Sequence, residues 1–161
     1  MVFGLQEILL VKKKVSNLKK EKLLVSACFL AKGYKYDGKD NINEKVISLQ
    51  KKYDLVLICP EVMGGLSTPR DPSEQVGDKV ISNMGKDVTI NFVNGAQKAL
   101  SIANDNNCKK ALLKAKSPSC GKGLIYDGTF THTIIEGNGI CCQLLLDNGI
   151  EVFTEEEIDF L

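Results

Sequence analysis

Four short apolar runs recur along the chain, at residues 23–28, 55–58, 111–113 and 150–153, with stretches of helical patterning between them. Runs this short and this uniformly apolar read as strands buried between layers. Their alternation with helices gives a mostly parallel sheet covered on both faces. The expected fold is therefore α/β: a single Rossmann-like domain with a mostly parallel sheet flanked by helices. A length of 161 residues suits one such domain with a core of its own, and no repeat, low-complexity segment or internal linker divides it.

Local signals place the other elements. Asn41 or Asn43 caps a helix over residues 43–50, and Thr89 caps a longer one reaching about residue 106, with Phe92, Val93, Ala96, Ala99, Leu100 and Ala103 on one face. Residues 78–88 suggest a small hairpin turning at Asn83-Met84-Gly85. Tyr126-Asp127-Gly128 marks a turn, and His132 is placed in a Thr-rich strand as an ordinary polar side chain. Gly137-Asn138-Gly139 opens a helix that ends at Asn148-Gly149, and Thr154 with Glu157 forms a capping-box signature. Residues 1–22 carry six lysines and two glutamates, and read as a dispensable arm or a short amphipathic helix. Their apolar residues precede Lys12, Lys13 and Lys14, which is the wrong order for a signal peptide, and the run is too short to span a bilayer.

Charge excludes some partners. With 21 lysines and arginines against 20 acidic residues, the net charge of +1 offers no field for a nucleic acid. A single histidine, His132, leaves little material for a triad or a histidine-rich metal site. Six cysteines are the exception. In a chain of this size and type they are read as free thiols of a reducing cytoplasm, some of them reactive or metal-binding.

Three of those thiols fall into register. Ligands of an open parallel sheet bind outside the carboxyl ends of its strands. Cys28 ends the first apolar run, Cys59 follows the second, and Cys120 lies in the loop leaving the third, so all three are expected on one rim. Cys108 begins the third strand at the opposite rim, and Cys141 and Cys142 lie in the first turns of a helix. Thiolates clustered without histidine suit soft metals or iron–sulfur ligation, whereas buried cysteines also serve as small hydrophobes. Spacing alone leaves both readings open, and the polar, proline-bearing segments around Cys59 and Cys120 favour ligation. Cys59 also opens the densest chemistry in the chain, Cys-Pro-Glu-Val-Met-Gly-Gly-Leu-Ser-Thr-Pro-Arg, read as an irregular loop of about a dozen residues.

Several segments carry a resemblance: Val25-Ser26-Ala27-Cys28, Tyr36-Asp37-Gly38, Cys59-Pro60-Glu61-Val62 with Gly64-Gly65-Leu66 and Thr68-Pro69-Arg70, Lys116-Ser117-Pro118-Ser119-Cys120-Gly121, and Tyr126-Asp127-Gly128-Thr129-Phe130. In order and spacing they resemble the thiouracil desulfurase (TudS)-like family of small bacterial cysteine-rich proteins. The resemblance runs from about Lys22 to the C-terminus, which implies an N-terminal extension over 1–21 and a desulfidase domain over 22–161. It implies a [4Fe–4S] cluster held by three cysteines, here Cys28, Cys59 and Cys120, with one iron open to the sulfur of a thiolated base such as 2-thiouracil. Glu61 would be the general acid/base, and Ser117 or Ser119 would orient the substrate or the attacking water. Ser26, Asp37 and Arg70 are the substrate-binding candidates, Arg70 also being a partner for Glu61 or Glu74. The products would be uracil and hydrogen sulfide. Many relatives carry a further cysteine where this chain has Tyr34 and Lys35, which leaves the three ligands untouched. The competing expectation is a non-catalytic nucleobase- or metal-binding module.

Overall fold

The computed structural model describes residues 4–16 and 19–161. Its centre is a four-stranded parallel sheet of β1 (Glu21–Ser26), β2 (Tyr53–Ile58), β5 (Lys110–Leu113) and β8 (Glu151–Thr154), in the order β2-β1-β5-β8. The strands alternate with helices as the apolar runs imply, and every pairing is parallel. Successive side chains of a strand point to opposite faces, so the central strands feed two separate cores. Leu24, Ala111 and Leu113 join Ala96, Ala99, Ala103, Cys141, Cys142 and Leu145 from α4 (Thr89–Asp105) and α5 (Ile140–Asp147) on one face. Leu23, Val25 and Leu112 pack on the other face with Phe29, Val46 of α2 (Glu44–Ser48) and Tyr53.

β1 leads to β2 on one side of itself and the chain later returns to lay β5 on the other. The carboxyl ends of β1 and β5 therefore flank a topological switch, the place where α/β sheets leave room for a ligand.

Several local features differ from the sequence expectations. β1 stops at Ser26, and Cys28 lies two residues further on, in a 3₁₀ turn over Ala27–Phe29. β2 is an edge strand rather than a fully buried one, with Leu57 exposed. The segment after Cys59 is not wholly irregular: α3 (Pro60–Met63) forms one helical turn with Cys59 as its N-cap residue and Pro60 in the first turn, where a missing N–H costs nothing. The main hairpin pairs β3 (Ser73–Val76) with β4 (Lys79–Ser82) and turns at Gly77 and Asp78. Asn83-Met84-Gly85 makes a second reversal, closed by the amide of Ser82 on the carbonyl of Lys86 and by an Ile81–Asp87 bridge. Val88, not Thr89, is the cap residue of α4, because the Thr89 hydroxyl is held by Asp87 at 2.6 Å while it accepts from the amide of Val80. A further hairpin joins β6 (Leu124–Tyr126) to β7 (Ile134–Glu136). His132 sits in its connection with φ at +60°, not in a strand. Asn43 is the cap of α2, Gly149 ends α5 with positive φ, and Thr154 and Glu157 complete their capping box. The N-terminal arm contains a helix, α1 (Leu5–Ser16), on which Leu5, Ile8, Leu9 and Leu10 are exposed. Among the described residues no helix is long and apolar enough to cross a membrane.

Two glycines let the helices reach the cysteine-bearing loops. A Cβ on Gly95 of α4 would overlap the carbonyl of Pro60, and one on Gly139, just before α5, would overlap the carbonyl of Ser119. Backbone thus rests on backbone behind both Cys59 and Cys120.

Gly95→Ala forces α3 away from α4 and is expected to cost about 3 kcal/mol, measurable as a lowered urea midpoint. A second expectation concerns alkali. Burial, with Cys142 adding repulsion, pushes the Cys141 thiol up to about 12. Between the ordinary thiol range and that value the folded chain keeps a proton that the unfolded chain releases, so stability falls as pH rises. The slope approaches about 1.4 kcal/mol per pH unit from this thiol alone. Thermal melts from pH 8.5 to 11 should steepen in wild type and flatten in Cys141→Ala.

Candidate active site

The carboxyl rim of the sheet opens into a cavity of about 590 Å³. Cys28, Cys59 and Cys120 all line it, together with Ser26, Glu61, Arg70 and Ser117. Each thiol is carried by the first irregular backbone after its strand, and each loop is held by bonds of its own. The amide of Asn41 donates to the carbonyl of Cys28 at 3.2 Å, tying the far side of the 34–38 loop to the first cysteine. Cys59 accepts the amide of Met63 on its own carbonyl at 2.9 Å, closing the turn of α3. In the third loop the Ser117 hydroxyl accepts the amides of Ser119 and Cys120 at 3.2 and 3.1 Å, a local turn that side-chain oxygens commonly make.

None of the three sulfurs is disulfide-bonded. Burial raises the Cys28 thiol above its usual range, opposed by the Asn41 side chain and, beyond a contribution from Cys59, by the Lys114 cation. Burial also raises Cys59, against the amide of Val62 and the Arg70 guanidinium, which favour the thiolate. Cys120 is raised furthest, by burial and then by its neighbours Cys141 and Cys59. Left alone, such a trio holds its protons. A bound metal reverses that preference, because a coordinating thiol is deprotonated outright. Among the described residues no three His, Cys, Asp or Glu side chains are placed to share one ion. Three soft donors around a common cavity therefore fit a multi-iron cluster, whose ligands sit on separate irons, better than a lone zinc.

Arg70 is the hub of the cavity wall. Its Nε donates to Oε1 of Glu61 at 3.2 Å, Nη1 to the carbonyl of Ser67 and the hydroxyl of Thr68, and Nη2 to the carbonyl of Tyr34 at 2.8 Å. Its amide donates to the carbonyl of Tyr36 at 2.7 Å. The partner of Arg70 is thus Glu61 and not Glu74, and its guanidinium is committed to the protein. Glu61 keeps Oε2 without a donor among the described residues.

The other candidates separate. Ser26 lines the cavity while its hydroxyl accepts the amide of Lys114 at 3.1 Å. Ser117 lines it as well. Ser119 lies beneath, fully buried, with an Oγ that meets no partner. Asp37 is outside the lining, where it pairs with Lys35 at 3.2 Å and caps its own turn through the amide of Lys39. Cys108 lies at the amino end of β5, and Cys141 and Cys142 are packed into the core.

Several cavity residues escape the sequence reading, His132 in the β6–β7 connection among them, and two carry most weight. Lys114 stands directly after β5 with Nζ on Glu155 at 2.5 Å, a position that the strand-end rule marks as functional. Glu74 lines the cavity from β3, a strand too polar for the apolar pattern to detect.

Comparison with known proteins supplies an independent line. A family model described as 2-thiouracil desulfurase matches residues 23–157. The chain is 37% identical over 147 residues to the uncharacterized protein YbbK of Bacillus subtilis, covering 85% of this chain and 97% of that one. Among solved structures, it resembles a [4Fe–4S]-dependent thiouracil desulfidase, TudS, with a TM-score of 0.83 and 41% identity, over 88% of this chain and 95% of the other.

Since a lysine has no planar fork to replace the three donor positions of Arg70, Arg70→Lys should release both the 34–36 loop and Glu61. The expected loss is about 2–3 kcal/mol, read from chemical denaturation, with faster proteolysis near Tyr34.

Proposed function

The chain belongs to the 2-thiouracil desulfurase family, and from that premise we infer that it works as an iron–sulfur-dependent desulfidase, taking sulfur from a thiolated base such as 2-thiouracil. One observation carries the assignment of its site: three thiols from three strand ends line a single cavity that also holds a carboxylate. Cys28, Cys59 and Cys120 are the residues to hold a [4Fe–4S] cluster, with no fourth protein ligand assigned. When bound, the cluster supplies a Lewis-acidic iron soft enough for a thiocarbonyl sulfur.

The chain's own residues supply the rest. Net hydrolysis of a thiocarbonyl consumes one water and yields a carbonyl and hydrogen sulfide, so both protons of the water must leave its oxygen and two protons must reach sulfur. We assign that transfer to Glu61, and the Arg70 bond to Oε1 supports the assignment by leaving Oε2 for a water or a substrate N–H. Of the two serines, Ser117 is the one we assign to the cavity. Its oxygen is occupied by two amides, so its hydroxyl proton is free to be donated to a water or a substrate oxygen. Ser26 shapes the wall between Cys120 and Lys114. We assign Asp37 to the loop turn and Arg70 to positioning, in place of direct substrate contact. Residues 22–161 form the desulfidase domain and residues 1–21 an extension to it. We assign the protein to the cytoplasm, whose reducing conditions suit six unpaired thiols, with a small thiolated base as the expected partner and neither nucleic acid nor membrane expected.

The test is anaerobic purification with iron and sulfide analysis. Wild type should carry about four irons with a broad band near 400 nm, and Cys59→Ala should lose both. Glu61→Gln should keep the iron while sulfide release from 2-thiouracil drops about 10²–10⁴-fold. A protein without iron after careful reconstitution, or a fully active Glu61→Gln, would overturn the scheme.

A further inference from the structure

Glu74 is the only charged side chain among the buried described residues, at 6% exposure. Its environment lacks what such a group ordinarily requires. The partly buried acids Glu61, Glu155 and Glu157 each sit on a cation, respectively Arg70, Lys114 and Lys122. Glu74 has no cation within ion-pairing distance among the described residues. Its Oε1 accepts two long bonds, from the amides of Gly128 and Phe130, both at 3.4 Å. Its Oε2 accepts from no described group, and the residue lines the cavity. Oε2 is not enclosed, since the only fully buried side-chain polar atom without a partner among the described residues is Ser119 Oγ, so water or a ligand entering the cavity completes the acceptor set of the carboxylate.

The donor that fits is an N–H, and the neighbouring wall indicates what carries it. Phe130, whose amide holds Oε1, lines the same cavity with its side chain about one-third exposed. Its φ of +57° is a left-handed conformation that a bulky residue adopts only when its surroundings impose it. An apolar ring beside an unfilled carboxylate matches a planar heterocycle bearing a ring N–H. We propose that Glu74 is a specificity-determining residue that accepts a ring N–H of the thiolated base, so that the site takes cyclic thioamides and thioureas with a free N–H and rejects those alkylated at that nitrogen. The proposal rests on the desulfidase reading and extends it from the sulfur to the rest of the ring.

Glu74→Gln separates this role from a merely structural one. The amides of Gly128 and Phe130 still need an acceptor, so they hold the Gln carbonyl where Oε1 was, and the hairpin connection stays in place. The amide NH₂ then faces the cavity and meets a substrate N–H donor to donor. The experiment uses iron-loaded protein. Sulfide release is measured from 2-thiouracil and from its N1-methyl and N3-methyl derivatives, and uracil binding is measured by calorimetry. Wild type should disfavour at least one methyl derivative by tenfold or more in kcat/KM. Glu74→Gln should keep its iron content and melting temperature, bind uracil at least tenfold more weakly, and lose most of the discrimination. Unchanged uracil binding and unchanged discrimination in Glu74→Gln, with an active wild type, would sink the Glu74 assignment alone. An iron-loaded wild type that releases no sulfide from 2-thiouracil would remove the desulfidase reading, and this assignment with it.

Discussion

A parallel sheet delivers the carboxyl ends of its strands to one edge, and here the register of β1 against its neighbours decides where three thiols stand. Ser26 is level with Ile58 at the end of β2, while Val25 is level with Leu112, one residue from the end of β5. The three loops therefore leave the sheet within a residue or so of the same height. Everything that positions the site follows from holding those ends still. The strands are apolar on both faces because both faces are covered. The helices covering one of them touch the loops backbone to backbone at Gly95 and Gly139. A side chain at either glycine moves the thiol bearing loop as a body, which is why packing two layers away belongs to the site.

Electrostatics around the cavity divides its groups by how completely each is satisfied. Arg70 spends its guanidinium on the Tyr34 carbonyl, the 67–68 segment and Glu61, so its charge fixes one acid and braces two loops. Lys114 is held by Glu155 and the carbonyl of Ala115. Against these paired groups stand Oε2 of Glu61 and Oε2 of Glu74, which accept from no described group, and three weakly bonded thiols raised by burial, Cys59 reaching the Tyr34 carbonyl only at 3.8 Å. Unfilled capacity marks where chemistry and ligands enter, since buried polar groups otherwise find partners within the chain. The thiols ask for a metal, and the carboxylate oxygens ask for protons on water or on a heterocycle.

Much of this was legible in the sequence, for an identifiable reason. The apolar runs that become β1, β2, β5 and β8 are short, and parallel topology alone places Cys28, Cys59 and Cys120 on one rim without any structural information. Glu61 and Arg70 ride with Cys59 on one continuous segment, so their proximity was legible too. The fate of Arg70 was not, because the number of donors a guanidinium has left depends on carbonyls at Ser67 and Tyr34. Ser117 and Ser119 looked alike in the chain; their separation into a cavity wall and a buried underside depends on the course of the loop. The reversal at Asn83-Met84-Gly85 is legible from its turn residues, whereas the β3–β4 hairpin before it is not, because β3 reads Ser-Glu-Gln-Val, too polar to register as a strand. With β3 unseen, Glu74 had no element to sit on and no cavity to face.

On the proposed scheme, the contrast between the two cavity acids explains how one pocket could divide recognition from proton transfer. Glu61 lies on a helical turn beside a guanidinium that fixes one oxygen by a charge-assisted bond, which orients the other and leaves it open to a water or a ligand N–H. Glu74 is braced only by two long backbone bonds, from a connection that contains residues in left-handed conformations. A carboxylate held that weakly contributes little to stability while the cavity is unfilled, and gains most when a ring N–H completes its set. The hairpin connection that carries Phe130 is thereby coupled to the presence of a base through the same carboxylate. On the proposed scheme, recognition by Glu74 and proton transfer by Glu61 require no residue to do both, and the sulfur to be removed is left to the cluster that Cys28, Cys59 and Cys120 would hold.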